Sequence, residues 1–308
     1  MKLSVIITAY SRKEFLTEAV ESLKMQTISR DSIELIIVCN FSLHFNICEI
    51  PIKFVFSDQS TIGSMLADGI REASGDVICF LDDDDLYNPS KLENVKRVFE
   101  MNTNVIYYHN LQVESYNVEA GFYDKVHFDI NKLEMFNSKD IVKSRTILKM
   151  MEKSPDYNSS SICIRKDIVD NLMLNIKNIR FTVDTFLFAV AFEYGGIFVL
   201  DSSFLTFKRV HDSNSNPMNE DQTQLLNSLI NLHKNYVEDY SFISGMLANN
   251  DLSLYFFCKS FLEKLKEVKY TRDYTRILFN KNIFKCLSCF RFINFRSIIS
   301  RINLIRMK

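Results

Sequence analysis

The chain of 308 residues lacks an excess of either charge: 37 Lys and Arg stand against 38 Asp and Glu, leaving a formal charge of -1. Without a basic surplus, nothing in the total points to nucleic acid. No run reaches the ~18 apolar residues of a membrane span, and the opening MKLSVIITAYSRKEF is too briefly apolar for a signal peptide. The body is therefore expected to be cytoplasmic. Paired cysteines are missing too. The seven are odd in number and scattered, at Cys39, Cys48, Cys79, Cys163, Cys258, Cys286 and Cys289, which reads as reduced thiols rather than a disulfide framework. Cys286 and Cys289 have no second pair or nearby His to complete a zinc set. Repeats and low-complexity linkers are absent as well.

What is present is ordinary for a globular protein with a sizeable core: 47% hydrophobic and 24% charged residues. One large domain with a smaller appendage is expected. Apolar runs of strand length (LSVIITAY, IELIIVCN, IKFVFSD, DVICFLD, NVIYYHN) alternate with helical patterns (Phe15 to Leu23, SMLADGIREASG closed by Gly75, and PSKLENVKRVFEMN with Pro89 near its first turn). This predicts an α/β fold, a mainly parallel sheet flanked by helices. Residues 111 to 155 are polar and poorly periodic and read as loops and short elements over one side of a site. SSSICI reads as a strand, VDTFLFAVAFEYGG as a helix with a glycine stop, IFVLDSSFLTFKRV as a long strand or hairpin, and everything from about Met218 as helical.

Four aspartates in a row, in CFLDDDDLYNP, end the fourth strand, and parallel sheets bind ligands beyond the carboxyl ends of their strands. In an extended strand end side chains alternate, so Asp82 and Asp84 should share one side and Asp83 and Asp85 the other. Two carboxylates on one side can share a divalent cation. A solvated acidic turn capping the next helix, with Asp85 or Asn88 near the N-cap, has the same spacing. An EF-hand is not expected, because the glycine of its loop is missing.

Several landmarks occur in order: SVIITAY, ELIIVCN, GIREASGDVICFLDDDDLYNPSKLE, VDTFLFAVAFEYGG and FKRVHDSNS. Together, over about residues 1 to 215, they resemble glycosyltransferase family 2, the inverting nucleotide-sugar transferases of the Rossmann-like GT-A fold. The resemblance implies a nucleotide-sugar half at about 1–110, an acceptor half at about 111–215 and a helical region at 216–308. It implies Asp82 near the donor ribose, Asp84 as metal ligand, Asp83 at a variable position of the donor site, and Asp85 shaping the loop. Thr8, Ala9 and Tyr10 would line the nucleoside, Asp184 would be the catalytic base, and His211 would complete the metal site. Arg209 and Ser213 would be diphosphate or acceptor contacts. The cofactor implied is Mn2+ or Mg2+.

Such residues support one reaction. Negative charge grows on the departing diphosphate, where a divalent cation acts as a Lewis acid, and an acceptor hydroxyl needs a carboxylate to take its proton. The resemblance favours a UDP-sugar as donor, but the chain departs from the family at Asn40, where an acidic residue usually reads the base; an amide, both donor and acceptor, can still read uracil. Leu66 and Ala67 stand for a usual Arg-Asn pair, and Val183 for a glutamate. Each residue alone has a plainer reading: Asp184 suits a helix N-terminus, His211 an exposed loop, Tyr10 a strand end. Rival classes are an inactive glycan-binding scaffold and a phosphatase of the haloacid-dehalogenase type, although Leu86 replaces the threonine of its DxDxT. A nucleotidyltransferase would show a glycine-rich first loop, which TAYSRKEF is not.

From Phe279 onward Lys281, Lys285, Arg291, Arg296, Arg301, Arg306 and Lys308 occur with no acidic residue. Phe295, Ile298, Ile299, Ile302 and Ile305 fall on one helical face. Such a basic amphipathic helix either packs on the body or lies on an anionic membrane surface. The latter implies a protein peripheral to the cytosolic face, with a glycan or lipid-linked acceptor. A second copy, in a homo-oligomer, is the remaining partner considered.

Overall fold

A computed structural model describes residues 1–10, 13–42, 50–59, 61–141, 144–170, 173–211 and 222–271. Its elements are β1 (Leu3–Ala9), α1 (Leu16–Lys24), β2 (Ile33–Cys39), β3 (Ile52–Phe56), α2 (Ile62–Glu72), β4 (Val77–Asp82), β5 (Leu86–Tyr87), α3 (Lys91–Met101) and β6 (Val105–Ser115). There follow β7 (Leu133–Asn137), α4 (Ser144–Met151), β8 (Ile162–Arg165), α5 (Lys166–Asp170), α6 (Met173–Ile176), α7 (Val183–Tyr194), β9 (Ile197–Arg209), α8 (Gln222–Met246) and α9 (Asn250–Thr271). Two units form: Met1–Asp140 with Pro155–His211, and Ile141–Ser154 with the described part of Asp212–Lys308.

In the first unit one nine-stranded sheet has the order β3-β2-β1-β4-β8-β6-β9-β5, with β7 also on β9. β1, β2, β3, β4, β6 and β9 run in one direction, and β5, β7 and β8 run against them. The expected α/β fold with a mainly parallel sheet is therefore present. β1 and β2 are buried at every residue, as central parallel strands covered on both faces must be. The amphipathic α1 turns Leu16, Ala19, Val20 and Leu23 inward. Gly69 lets α2 lie close on the sheet, since a Cβ there would come within 2.7 Å of Ile6 and 2.9 Å of Val38. α7 is buried at every position from Val183 to Phe192 except Asp184. Phe188 meets Tyr107 and Phe198 at centroid separations of 5.9 and 5.7 Å, and Phe198 stacks on Tyr107 at 4.8 Å, so aromatic packing pins α7 to β6 and β9.

Some local expectations change. Gly75 does not close α2, which ends at Glu72 with Ala73 as C-cap; a Cβ on Gly75 would fall 2.7 Å from Ser4 Oγ, so glycine is needed there for close approach to β1. The polar stretch 111–155 is more regular than its periodicity predicted, because β6 runs on to Ser115 and β7 pairs with β9 through Leu133 to Asn137.

In the second unit α8 and α9 pack along one another, joined by Ser241 and Ser260 hydroxyls at 2.7 Å and by His233 Nδ1 to Glu263 Oε2 at 2.6 Å. Cys39, Cys79 and Cys163 are free thiols, as expected, but Cys258 on α9 is disulfide-bonded. No described helix is long and apolar enough to cross a membrane. The basic stretch from Phe279, the Cys286–Cys289 pair and Ser213 lie outside the described residues.

Candidate active site

The connection from β1 leads to β2 on one side, while β4 pairs with β1 on the other. The crevice beyond their carboxyl ends is therefore a topological switch point. Thr8 pairs in register with Asp82, and Ala9 with Cys39, which precedes Asn40. Thr8 and Ala9 are buried and Tyr10 is 48% exposed, so the ring of Tyr10 is the accessible member of that strand end. The sheet thus brings Thr8, Ala9, Tyr10, Asn40 and Asp82 to one edge. The positions of Leu66 and Ala67 are buried and apolar.

The aspartates do not alternate as an extended strand would make them. β4 stops at Asp82, and the Asp85 N–H closes a turn onto the Asp82 carbonyl at 3.2 Å. The turn brings ligand oxygens of Asp82, Asp84 and Asp85 within 4.8 Å of one another, while Asp83 is buried outside that set. Asp85 Oδ1 accepts from the Arg209 N–H at 3.1 Å, and its buried Oδ2 has no hydrogen-bond partner. Burial pushes the Asp85 carboxyl well above the usual range, with Asp82 and Asp84 adding to the shift. Asp82 is pushed up to about 7, first by burial and then by the Asp84 charge, against a bond from the Ser159 hydroxyl. Clustered carboxylates with an orphaned buried oxygen are the donor set of a hard, oxygen-preferring divalent cation. The residues therefore fit Mg2+ or Mn2+.

His211 Nε2 lies 2.9 Å from Asp84 Oδ2, and its ring packs 4.8 Å from that of Phe15. Arg209 is nine-tenths buried and turned inward: Nη2 donates to Glu18 Oε2 at 2.6 Å and Nε to the Asp84 carbonyl at 3.2 Å. Arg209, the last residue of β9, and His211, two residues beyond it, thereby brace the aspartate turn.

Asp184, in the first turn of α7, reaches the same place through a segment that sequence reasoning missed. The Asn158 N–H donates to Asp184 Oδ2 at 3.0 Å, and the Thr185 N–H to Oδ1 at 2.8 Å. Next along the chain, the Ser159 hydroxyl donates to Asp82 Oδ1 at 2.8 Å, while the Asp82 N–H donates to Ser160 Oγ at 3.0 Å. Two consecutive residues thus tie the candidate base to the first aspartate, and the Asp184 charge acts on Asp82. Asn158 adopts φ 63°, a conformation asparagine tolerates better than most residues. Its side-chain oxygen accepts from the Ser160 N–H at 3.0 Å.

The segment is stapled from beneath. Lys91, fully buried at the start of α3, donates to the Ser160 carbonyl and to Thr206 Oγ1, the latter at 2.9 Å. Tyr107 donates to the Pro155 carbonyl at 2.6 Å. His109 Nε2 lies 2.9 Å from the Tyr157 carbonyl. Burial pushes His109 down to about 4, so at neutral pH it is the uncharged Nε2–H donor. The signals available beforehand were the polar NSSS run before β8 and the lysine of the P..KLE sequence.

A sheet with its acidic site at a switch point defines an α/β protein that binds its ligands at the strand ends. The family model of glycosyl transferase family 2 matches residues 4–172, and the chain belongs to that family. It is 36% identical over 121 residues to an uncharacterized glycosyltransferase of Haemophilus influenzae; the match takes in 37% of this chain and 40% of that relative, so the chain spans well under half of it. S. aureus TarS 1-349 shares the fold at TM-score 0.56 and 12% identity, covering 94% of this chain and 78% of that one; it is also known in complex with UDP-GlcNAc. The mannosyltransferase PcManGT of Pyrobaculum calidifontis, in complex with GDP-Man and Mn2+, shares it at TM-score 0.53 and 11% identity, over 87% of this chain and 74% of that one.

Proposed function

We propose that the protein is a metal-dependent, inverting glycosyltransferase of hexosyl type. It moves a sugar from a nucleotide-diphosphate sugar, a UDP-sugar by preference, to a hydroxyl of a glycan or lipid-linked acceptor. The observation that carries this is the linkage of two functions in one frame: a carboxylate cluster fit for a cation, and a second carboxylate tied to it through Asn158 and Ser159.

Asp82, Asp84 and Asp85 would hold the cation, with His211 beside Asp84. Bound there, a divalent ion neutralises the charge that develops on the departing diphosphate. Thr8, Ala9, Tyr10 and Asp83 supply donor contacts, and Asn40 offers both a donor and an acceptor to a uracil. Asp184 takes the proton of the acceptor hydroxyl as that oxygen attacks the anomeric carbon; the hydrogen bonds it accepts from the Asn158 and Thr185 N–H groups fix its orientation. Attack opposite the leaving diphosphate inverts the configuration. PcManGT with Mn2+ and TarS with UDP-GlcNAc support the cofactor and donor class.

Residues 1–215 are assigned to transfer, donor half first, and 216–308 to a helical region. The acid-free basic stretch from Phe279 is assigned to peripheral contact with the cytosolic face of a membrane, where a lipid-linked acceptor would lie. The test is a panel of nucleotide sugars with Mn2+ or Mg2+, scored by thermal shift and slow donor hydrolysis. A metal-dependent response to one donor is expected; silence across the panel favours a non-enzymatic glycan-binding role.

A further inference from the structure

Beside Asp184 the crossing segment carries one side chain that its staples do not explain. The Tyr157 backbone is held by His109, yet its ring remains 39% exposed. Its phenol is bonded to Lys208 Nζ, and Lys208 in turn lies 3.3 Å from Glu114 Oε1. Glu114 and Lys208 are register partners on β6 and β9, and Gln112, two residues earlier on the same face, accepts from the Ser161 hydroxyl at 3.2 Å. Tyr157 also adjoins Asn158, whose N–H orients the candidate base; the two Cα atoms are about 3.8 Å apart. Tyr157, Lys208 and Glu114 therefore form a cluster one residue from the point where the acceptor hydroxyl would lose its proton.

We propose that this cluster is an acceptor subsite that takes an uncharged sugar ring. It rests on the glycosyltransferase reading above and names the part of the acceptor that site receives. A sugar ring presents an apolar C–H face and an edge of hydroxyls. The exposed aromatic ring of Tyr157 suits the first, and the Lys208 ammonium with the Glu114 carboxylate suits the second, one as donor and one as acceptor. Charge argues against an anionic unit: the Lys208 charge is already matched by Glu114, whose Oε1 lies 3.3 Å away. Lys208 remains a cation here because Tyr157 and Glu114 outweigh its burial.

The experiment uses the full chain and the nucleotide sugar giving the largest shift in the panel above. Nucleotide release is measured with p-nitrophenyl hexosides across a millimolar range, against each protein's own glycoside-free rate. At least one neutral hexoside is expected to stimulate the wild type. Tyr157→Phe should keep its apparent affinity within about twofold, and Tyr157→Leu should weaken it about three- to tenfold, the worth of an aromatic contact. Because Lys208 Nζ also lies 4.3 Å from the centroid of the Tyr157 ring, the thermal unfolding and glycoside-free rate of each variant are read alongside, and a Leu effect confined to hexoside affinity is the one a merely structural role would not give. Equal behaviour of Phe and Leu, no stimulation by any hexoside, or equal stimulation by a hexoside 6-phosphate overturns the subsite while donor hydrolysis leaves the transferase reading standing. No hydrolysis of any nucleotide sugar removes that reading and the subsite with it.

Discussion

His211 Nε2 and Asp84 Oδ2 lie 2.9 Å apart although 127 residues separate them in sequence. The segment just after β9 thus closes on the turn after β4, and two residues assigned to one cation lie side by side. A bound ion would compete with this contact for the Asp84 carboxylate.

Asp84→Asn is therefore expected to abolish stabilisation by Mn2+ in a thermal-shift titration. His211→Ala, which removes the neighbour of a ligand, is expected to weaken Mn2+ binding about 10- to 100-fold. Unchanged Mn2+ affinity in Asp84→Asn would show that the cluster is an acidic turn and nothing more.

Proton release should accompany the metal. Asp82 is pushed up to about 7 by burial first and by Asp84 next, above an ordinary aspartate near 3.9, so the metal-free protein holds a proton there below neutrality. A cation must displace that proton, and its affinity is expected to rise with pH from 6 to 8. Calorimetry in two buffers of different ionisation enthalpy measures the protons released. A pH-independent affinity with no release rules out Asp82 as a ligand.

Asp184→Asn keeps the shape of the side chain and one acceptor oxygen while removing the base. Transfer is expected to fall roughly 10²- to 10⁴-fold, with the metal-dependent shift by donor retained. Full activity in this variant would move the base elsewhere.

How much of this was legible beforehand depends on whether local pattern or distant contact decides each feature. β1, β2 and β4 are predominantly apolar because both faces of the sheet are covered, and α7 because it packs on β6 and β9, and such runs show directly in sequence. Asp82 and Asp84 could be placed at the strand edge for the same reason. Asp85 could not be placed in the cluster, because that follows from a turn after Asp82 and not from strand alternation. The Asn158–Ser160 segment was invisible in its role: hydrogen bonds spanning 77 residues to Asp82 and 26 to Asp184 create it. The apolar string of VDTFLFAVAF hid a sharper clue, since Asp184 is its lone charged residue.

Away from the site, Glu34 makes a separate prediction about acid stability. Its carboxylate, 4% exposed, receives Lys2 Nζ at 2.8 Å, Ser4 Oγ at 2.6 Å, and the Ser74 N–H and hydroxyl at 2.6 and 2.8 Å. Burial alone would raise this group, but these donors outweigh it and bring it down to about 2 from 4.5. A depressed carboxyl contributes stability that is complete above the unfolded value and is lost as pH falls toward the folded one. Glu34→Gln is expected to destabilise the protein by roughly 2 kcal/mol at pH 7, the order of a buried charged hydrogen-bond set, with the gap narrowing from about pH 4.5 downward. Urea unfolding of both proteins at pH 7, 4.5 and 3.5 reads it directly, and a gap of constant size across that range would mean that Ser4 and Ser74 bind the amide as well as the carboxylate.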